Sequence, residues 1–118
     1  MALSGPVSER RKFVRMGSDF PVQLRHIKPN APMQVHNSLS QDLSEGGIQV
    51  SSFYFYPVHS KMMVELFLNT DAASVKTIGK VVWVEQIPYQ DVFKVGIEFS
   101  GLSAFNQSCL RALISEKM

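Results

Sequence analysis

Cysteine is almost missing from this 118-residue chain, with Cys109 the only one. No intramolecular disulfide and no cysteine-rich metal site can therefore form. A reducing, cytoplasmic setting is the default expectation, and the apolar neighbours of Cys109 predict a buried packing thiol. Long hydrophobic runs are lacking as well. Nothing approaches the ~18 apolar residues of a membrane span, and Met1-Ala2-Leu3-Ser4-Gly5-Pro6-Val7 holds no apolar stretch long enough for a secretory signal. Any effect on a membrane is thus expected to act through a partner. His26, His36 and His59 share no metal-ligand spacing with one another or with Cys109. There is no Gly-x-Ser-x-Gly elbow, and Ser44 has no histidine in a recognisable partner motif. The chain is accordingly expected to be neither an enzyme nor a carrier of a metal or cofactor. A strong net charge is also missing: 12 basic and 10 acidic residues leave +2, too little to argue for long nucleic acid. Met33 to Phe99 carries no arginine, which counts against a single-stranded nucleic-acid barrel with a basic stripe across its sheet.

The composition that is present is globular, with 45% hydrophobic and 19% charged residues. The length suits one domain with a single core. Residues 1–8 read as a flexible tail, and residues 9–118 as the domain. Within the domain, 9–17 form an arm and 103–117 a C-terminal helix. Phe20–Lys28 reads as a strand, Met33–Asp42 as a second, polar one, and Ile48–Ser51 as a third. Lys61–Asn69 places Met62, Val64, Leu66 and Leu68 on one face, the period of a half-buried strand. Val75–Ile87 is long and β-branched, and Gly79 marks a bulge or tight bend. Val92–Phe99 alternates Phe93, Val95, Ile97 and Phe99 against Lys94, Gly96 and Glu98. After Gly101 the period turns helical at Phe105, Cys109, Leu110, Leu113 and Ile114, a stripe expected to face the core, with Ser103 as N-cap. Strands in this number and spacing close into a small barrel, which removes exposed edges. Phe53, Tyr54, Phe55 and Tyr56 are read as barrel packing, with base stacking the alternative.

Charge is concentrated rather than abundant. Arg10, Arg11, Lys12 and Arg15 place four cations within six positions, which suits a small anionic ligand. Arg11 and Arg15 lie on one face of a helical turn or on one side of an extended arm. Arginine's planar fork meets phosphate oxygens in pairs, meets guanine O6 and N7 in pairs, and stacks on a purine. About thirty residues on comes Asp42-Leu43-Ser44-Glu45-Gly46-Gly47. A carboxylate here can accept from the guanine N1 and N2 hydrogens, a donor pair that adenine lacks, and Ser44 can donate or accept beside it. Gly46 and Gly47 permit close approach of the backbone. Trp83 is expected on the strand face opposite to Val82 and Val84, either in barrel packing or stacked on ligand.

Arg-x-x-x-Arg in an N-terminal arm, then Asp-x-Ser-x-x-Gly, then short strands and a last helix, resembles a PilZ domain over roughly residues 8–117. Gly79-x-Val81-Val82-Trp83 and Gly96-Ile97-Glu98-Phe99 extend the resemblance downstream. It implies a mainly β fold: a six-stranded antiparallel barrel with a C-terminal α-helix. It further implies a bacterial receptor for cyclic di-GMP, with Arg11 and Arg15 gripping phosphate and guanine and Asp42, Ser44, Gly46 and Gly47 cradling the other side of a guanine. Arg10, by the same resemblance, goes with a stacked pair of ligand molecules, so one or two per chain are expected. The arm would order around the ligand and signal to an unidentified protein effector in motility or biofilm regulation. The chain is expected to be a monomer or a ligand-dependent dimer. A ligand-independent adaptor of the same fold is the alternative.

Overall fold

The computed structural model describes residues 16–28, 34–68 and 74–117. The strands are β1 (Met16–Gly17), β2 (Pro21–His26), β3 (Val35–Leu43), β4 (Gly47–Ser52), β5 (Lys61–Phe67), β6 (Ser74–Gln86) and β7 (Phe93–Ser100), followed by helix α1 (Ala104–Lys117). Pairing runs β3-β2-β5-β6-β7-β4 and returns from β4 to β3, so the sheet closes into the expected six-stranded barrel. Every pairing is antiparallel. β1 is not a seventh stave. It lies on the same side of β3 as β2, with Met16 opposite Leu43 and Pro21 opposite Leu39.

The interruption between β1 and β2 is closed by a buried serine. The Ser40 hydroxyl accepts from the Phe20 amide at 2.9 Å and bonds the Ser18 hydroxyl at 2.7 Å. Hydrogen bonds of this kind offset the cost of taking the hydroxyl out of water.

The core fills the barrel from alternate strand positions. Val22 and Leu24 of β2, Ile48 and Val50 of β4, Met62, Val64 and Leu66 of β5, Val81 of β6, and Val95 and Ile97 of β7 are all buried. Burial of this kind is the main favourable term in folding. The polar reading of β3 has its reason in the structure, since of its nine residues only Ser40 and Leu43 are buried.

Helix α1 begins as expected, with the Ser103 hydroxyl accepting from the Asn106 amide at 3.1 Å. Leu110 and Ile114 are buried, and Cys109 and Leu113 pack against the core while only partly buried. Phe105 departs from the expected stripe: it is 76% exposed, while the next residue, Asn106, faces the barrel and donates from Nδ2 to Lys76 O at 3.2 Å. The aromatic run also divides. Tyr56 is buried, whereas Phe53, Tyr54 and Phe55 are exposed. Tyr54 stacks face to face on His36, whose Nδ1 bonds the Tyr56 hydroxyl, and burial pushes the Tyr56 phenol up to about 12.

The bulge in β6 is not at Gly79. The register slips between Val81 and Trp83. Gly79 instead marks close packing, since a Cβ there would lie 2.5 Å from Ile97 Cγ2.

Candidate functional site

Two bulges decide which side chains reach the outer wall near the Asp-x-Ser-x-x-Gly segment. In β3, Ser40 points inward and strict alternation would turn Asp42 inward after it. The register shifts between Ser40 and Asp42, so Gln41 is the extra residue. Asp42 consequently stays outside and Leu43 enters the core, where it is 1% exposed. In β6 the extra residue is Val82. Val81 is buried, Val82 and Trp83 are both exposed, and Val84 packs on the core. Trp83 therefore shares the outer face with Val82, contrary to the expected alternation. An inserted residue has this effect because side-chain direction follows residue count along a strand.

The outward-facing row that results crosses five strands, with Gly17 and Trp83 exposed, Asp42 and Gln49 half-buried and Gly96 buried. Gly17 pairs with Asp42, Asp42 with Gln49, Gln49 with Gly96, and Gly96 with Trp83. Gly96 is a structural requirement of the row, since a Cβ there would lie 2.2 Å from Trp83 Nε1 and 2.4 Å from Cε2. The indole thus lies directly over the β7 backbone, and at 39% exposure it still presents surface to solvent. Gln49 is held by a side-chain bond from its Nε2 to Gln41 Oε1 at 3.2 Å.

One end of the row is the β3–β4 turn. The Ser44 amide donates to Gly47 O at 3.0 Å, and the Ser44 hydroxyl accepts from the Gly46 amide at 3.2 Å. Gly46 O accepts from the Phe99 amide at 2.9 Å, which ties the turn to β7. At Gly47 a Cβ would meet Ile97 O at 2.4 Å. The serine and both glycines of the motif therefore shape the turn, whatever else they do. Glu45 points the other way and takes both Nε and Nη2 of Arg111 on α1, at 3.1 and 3.0 Å.

The structure brings together Asp42, Ser44, Gly46 and Gly47 at one end of the barrel and sets Trp83 across β4 and β7 from them. Arg10, Arg11 and Arg15 lie outside the described residues. Gln41, Gln49 and Gly96, which help to build this wall, do not stand out as site candidates in the sequence. A signal for Gln49 existed, because a turn over Ser44–Gly47 pairs Leu43 with Ile48 and hence Asp42 with Gln49. Nothing local marks Gly96 as the bed of an indole from another strand. A concavity of about 570 Å³ lies on a neighbouring stretch of wall, lined among others by Pro21, Leu39, Phe53 and Phe67. Its surface is mostly apolar and it offers no charged group, whereas the row presents a carboxylate, a side-chain amide and an indole, so the row is the candidate site for a purine. Among the described residues no His, Cys, Asp and Glu cluster could hold a metal ion, and no helix is long and apolar enough to cross a membrane.

The fold is that of a small β module, a closed six-stranded antiparallel barrel with one C-terminal helix. The PilZ domain family matches residues 9–116, and the chain belongs to that family. No curated protein sequence matches it at a significant level. Among solved structures, the Bacillus subtilis inhibitor of motility (MotI/DgrA) is similar at 22% identity and a TM-score of 0.75, covering 92% of this chain and 51% of that one. The PilZ domain of YcgR with c-di-GMP, from Escherichia coli, aligns at 14% identity and a TM-score of 0.67, covering 91% and 90%. The MrkH–c-di-GMP complex from K. pneumonia aligns at 13% identity and 0.68, covering 91% and 52%. The chain thus spans about half of MotI and MrkH and nearly all of the YcgR domain.

Proposed function

We propose that this protein is a receptor for cyclic di-GMP that performs no chemistry of its own. The observation that carries the reading is the outer row. It sets a carboxylate suited to guanine N1 and N2 hydrogens on the same wall as an exposed indole, and the chain enters β1 beside that carboxylate. Gly17 is opposite Asp42, so Arg15 is two residues from the Asp42 partner by covalent connection. Arg11 lies four residues further upstream, within ~22 Å of Gly17 even for a fully extended chain. Both arginines can therefore reach a ligand resting on the row. The c-di-GMP held in the YcgR and MrkH structures supports the same reading.

In this reading Arg11 and Arg15 supply paired contacts to phosphate and guanine. Asp42 selects guanine, Ser44, Gly46 and Gly47 give a tight turn beside it, and Trp83 stacks. Arg10 adds a stacking fork for a second ligand molecule. The arm upstream of β1, residues 9–15, orders on binding, and the ionic and stacking contacts offset the cost of that ordering. The ordered arm then forms a surface for a protein effector in the bacterial cytoplasm, with motility one candidate output, as in the motility inhibitor from Bacillus subtilis.

Calorimetric titration with cyclic di-GMP tests the reading, with GTP as the control ligand. Saturable binding is expected, and Arg11→Ala should weaken it by about 2–5 kcal/mol while leaving the fold intact, roughly thirty-fold to several-thousand-fold in Kd. No heat at tens of micromolar ligand with folded protein would leave a ligand-independent adaptor as the better account.

A further inference from the structure

We infer that Gln49, oriented by Gln41, is a specificity-determining residue that donates to guanine O6 beside the Asp42 carboxylate. The inference rests on the receptor reading above and deepens it. Three observations carry it. Gln49 and Asp42 are direct Cα partners across β3 and β4, a relation that sets two side chains on one face with Cβ atoms ~5 Å apart. Both flanking residues of Gln49, Ile48 and Val50, are buried, so Gln49 must face outward with Asp42. The Gln49 amide is also positioned, since Nε2 donates to Gln41 Oε1 at 3.2 Å.

A primary amide has two N–H groups. Gln41 takes one, and the other remains for a ligand acceptor. The hydrogen-bonding edge of guanine reads acceptor, donor, donor along O6, N1 and N2. A carboxylate serves the two donors but meets O6 with repulsion, so a neighbouring neutral donor completes the match. Adenine offers a donor where guanine has O6 and an acceptor at N1, so it opposes both residues. The bulge at Gln41 makes this pairing available: the inserted residue turns Asp42 outward to share a face with Gln49, and its side chain fixes the amide.

The test is titration of the full chain with cyclic di-GMP and with cyclic di-IMP, which keeps O6 and lacks the 2-amino group. Gln49→Leu is expected to weaken both ligands by the same factor, about tenfold, the scale of one lost hydrogen bond. Its thermal midpoint should stay at the wild-type value. Gln49→Glu, which replaces the donor with a second carboxylate, should weaken both further. Asp42→Ala should weaken cyclic di-GMP far more than cyclic di-IMP, because one of its two contacts is missing from the second ligand. Unchanged affinities in Gln49→Leu, or a loss confined to cyclic di-GMP, would overturn the O6 assignment and leave the receptor reading standing. No binding by the wild-type chain would overturn both.

Discussion

β2 and β5 differ from β3 and β6 in one residue each, and that residue separates wall from site. β2 and β5 alternate without a slip: Val22 and Leu24 inward with Gln23 outward, then Met62, Val64 and Leu66 inward with Met63 and Glu65 less buried. They pair with each other over five consecutive rungs. β3 and β6 each carry an inserted residue, Gln41 and Val82. On the regular side the pattern builds only core. On the bulged side the same pattern is broken so that Asp42 and Trp83 stay outside while Leu43 and Val84 still reach the core. The bulges let one strand satisfy the core and the site together.

Leu43→Asp should break this contrast most severely. Leu43 follows the bulge and is 1% exposed, so the new carboxylate would lie in the core without a partner. An uncompensated buried carboxylate costs about 3–5 kcal/mol, a large share of a small domain's stability. We expect little folded protein by circular dichroism; a variant with native melting would show that position 43 is not held in the core past the bulge.

Leu24→Ala probes the regular side. Leu24 is fully buried, so the expected loss is about 2–5 kcal/mol in urea unfolding. Cyclic di-GMP affinity, measured where the variant is fully folded, should be unchanged. A parallel loss of affinity would mean that the two sides of the barrel are coupled.

Trp83→Ala should give the smallest effect and the opposite pattern. Because the indole is partly exposed, melting should shift little. Ligand affinity should fall by about 1–3 kcal/mol, the scale of base–aromatic stacking. Trp83 is the only tryptophan, so its fluorescence should also change on titration of the native protein. Affinity and emission both unmoved would confine Trp83 to covering Gly96.

Much of this was legible along the chain. The period-two runs located β5 and β7, the Ser103 cap and the change of period located α1, and the short linked strands argued for closure. Asp42, Ser44, Gly46 and Gly47 stood out as candidates by residue type and spacing. The face of Trp83 was not, because alternation counted from Val82 and Val84 assumes an unbroken strand. Phe105 matched the helical stripe, yet in the first turn it is Asn106 that meets the barrel.

Sequence alone determined the six barrel strands and the helix, though not β1, together with the family and the residues with chemistry to offer, because these depend on local periodicity, motif and residue type. The three-dimensional fold decided which face each residue occupies past a bulge, that Gly96 lies under Trp83, and that Gln49 stands beside Asp42. Those outcomes depend on register between strands far apart in the chain, and register is fixed by the packing of the closed barrel rather than by any one segment.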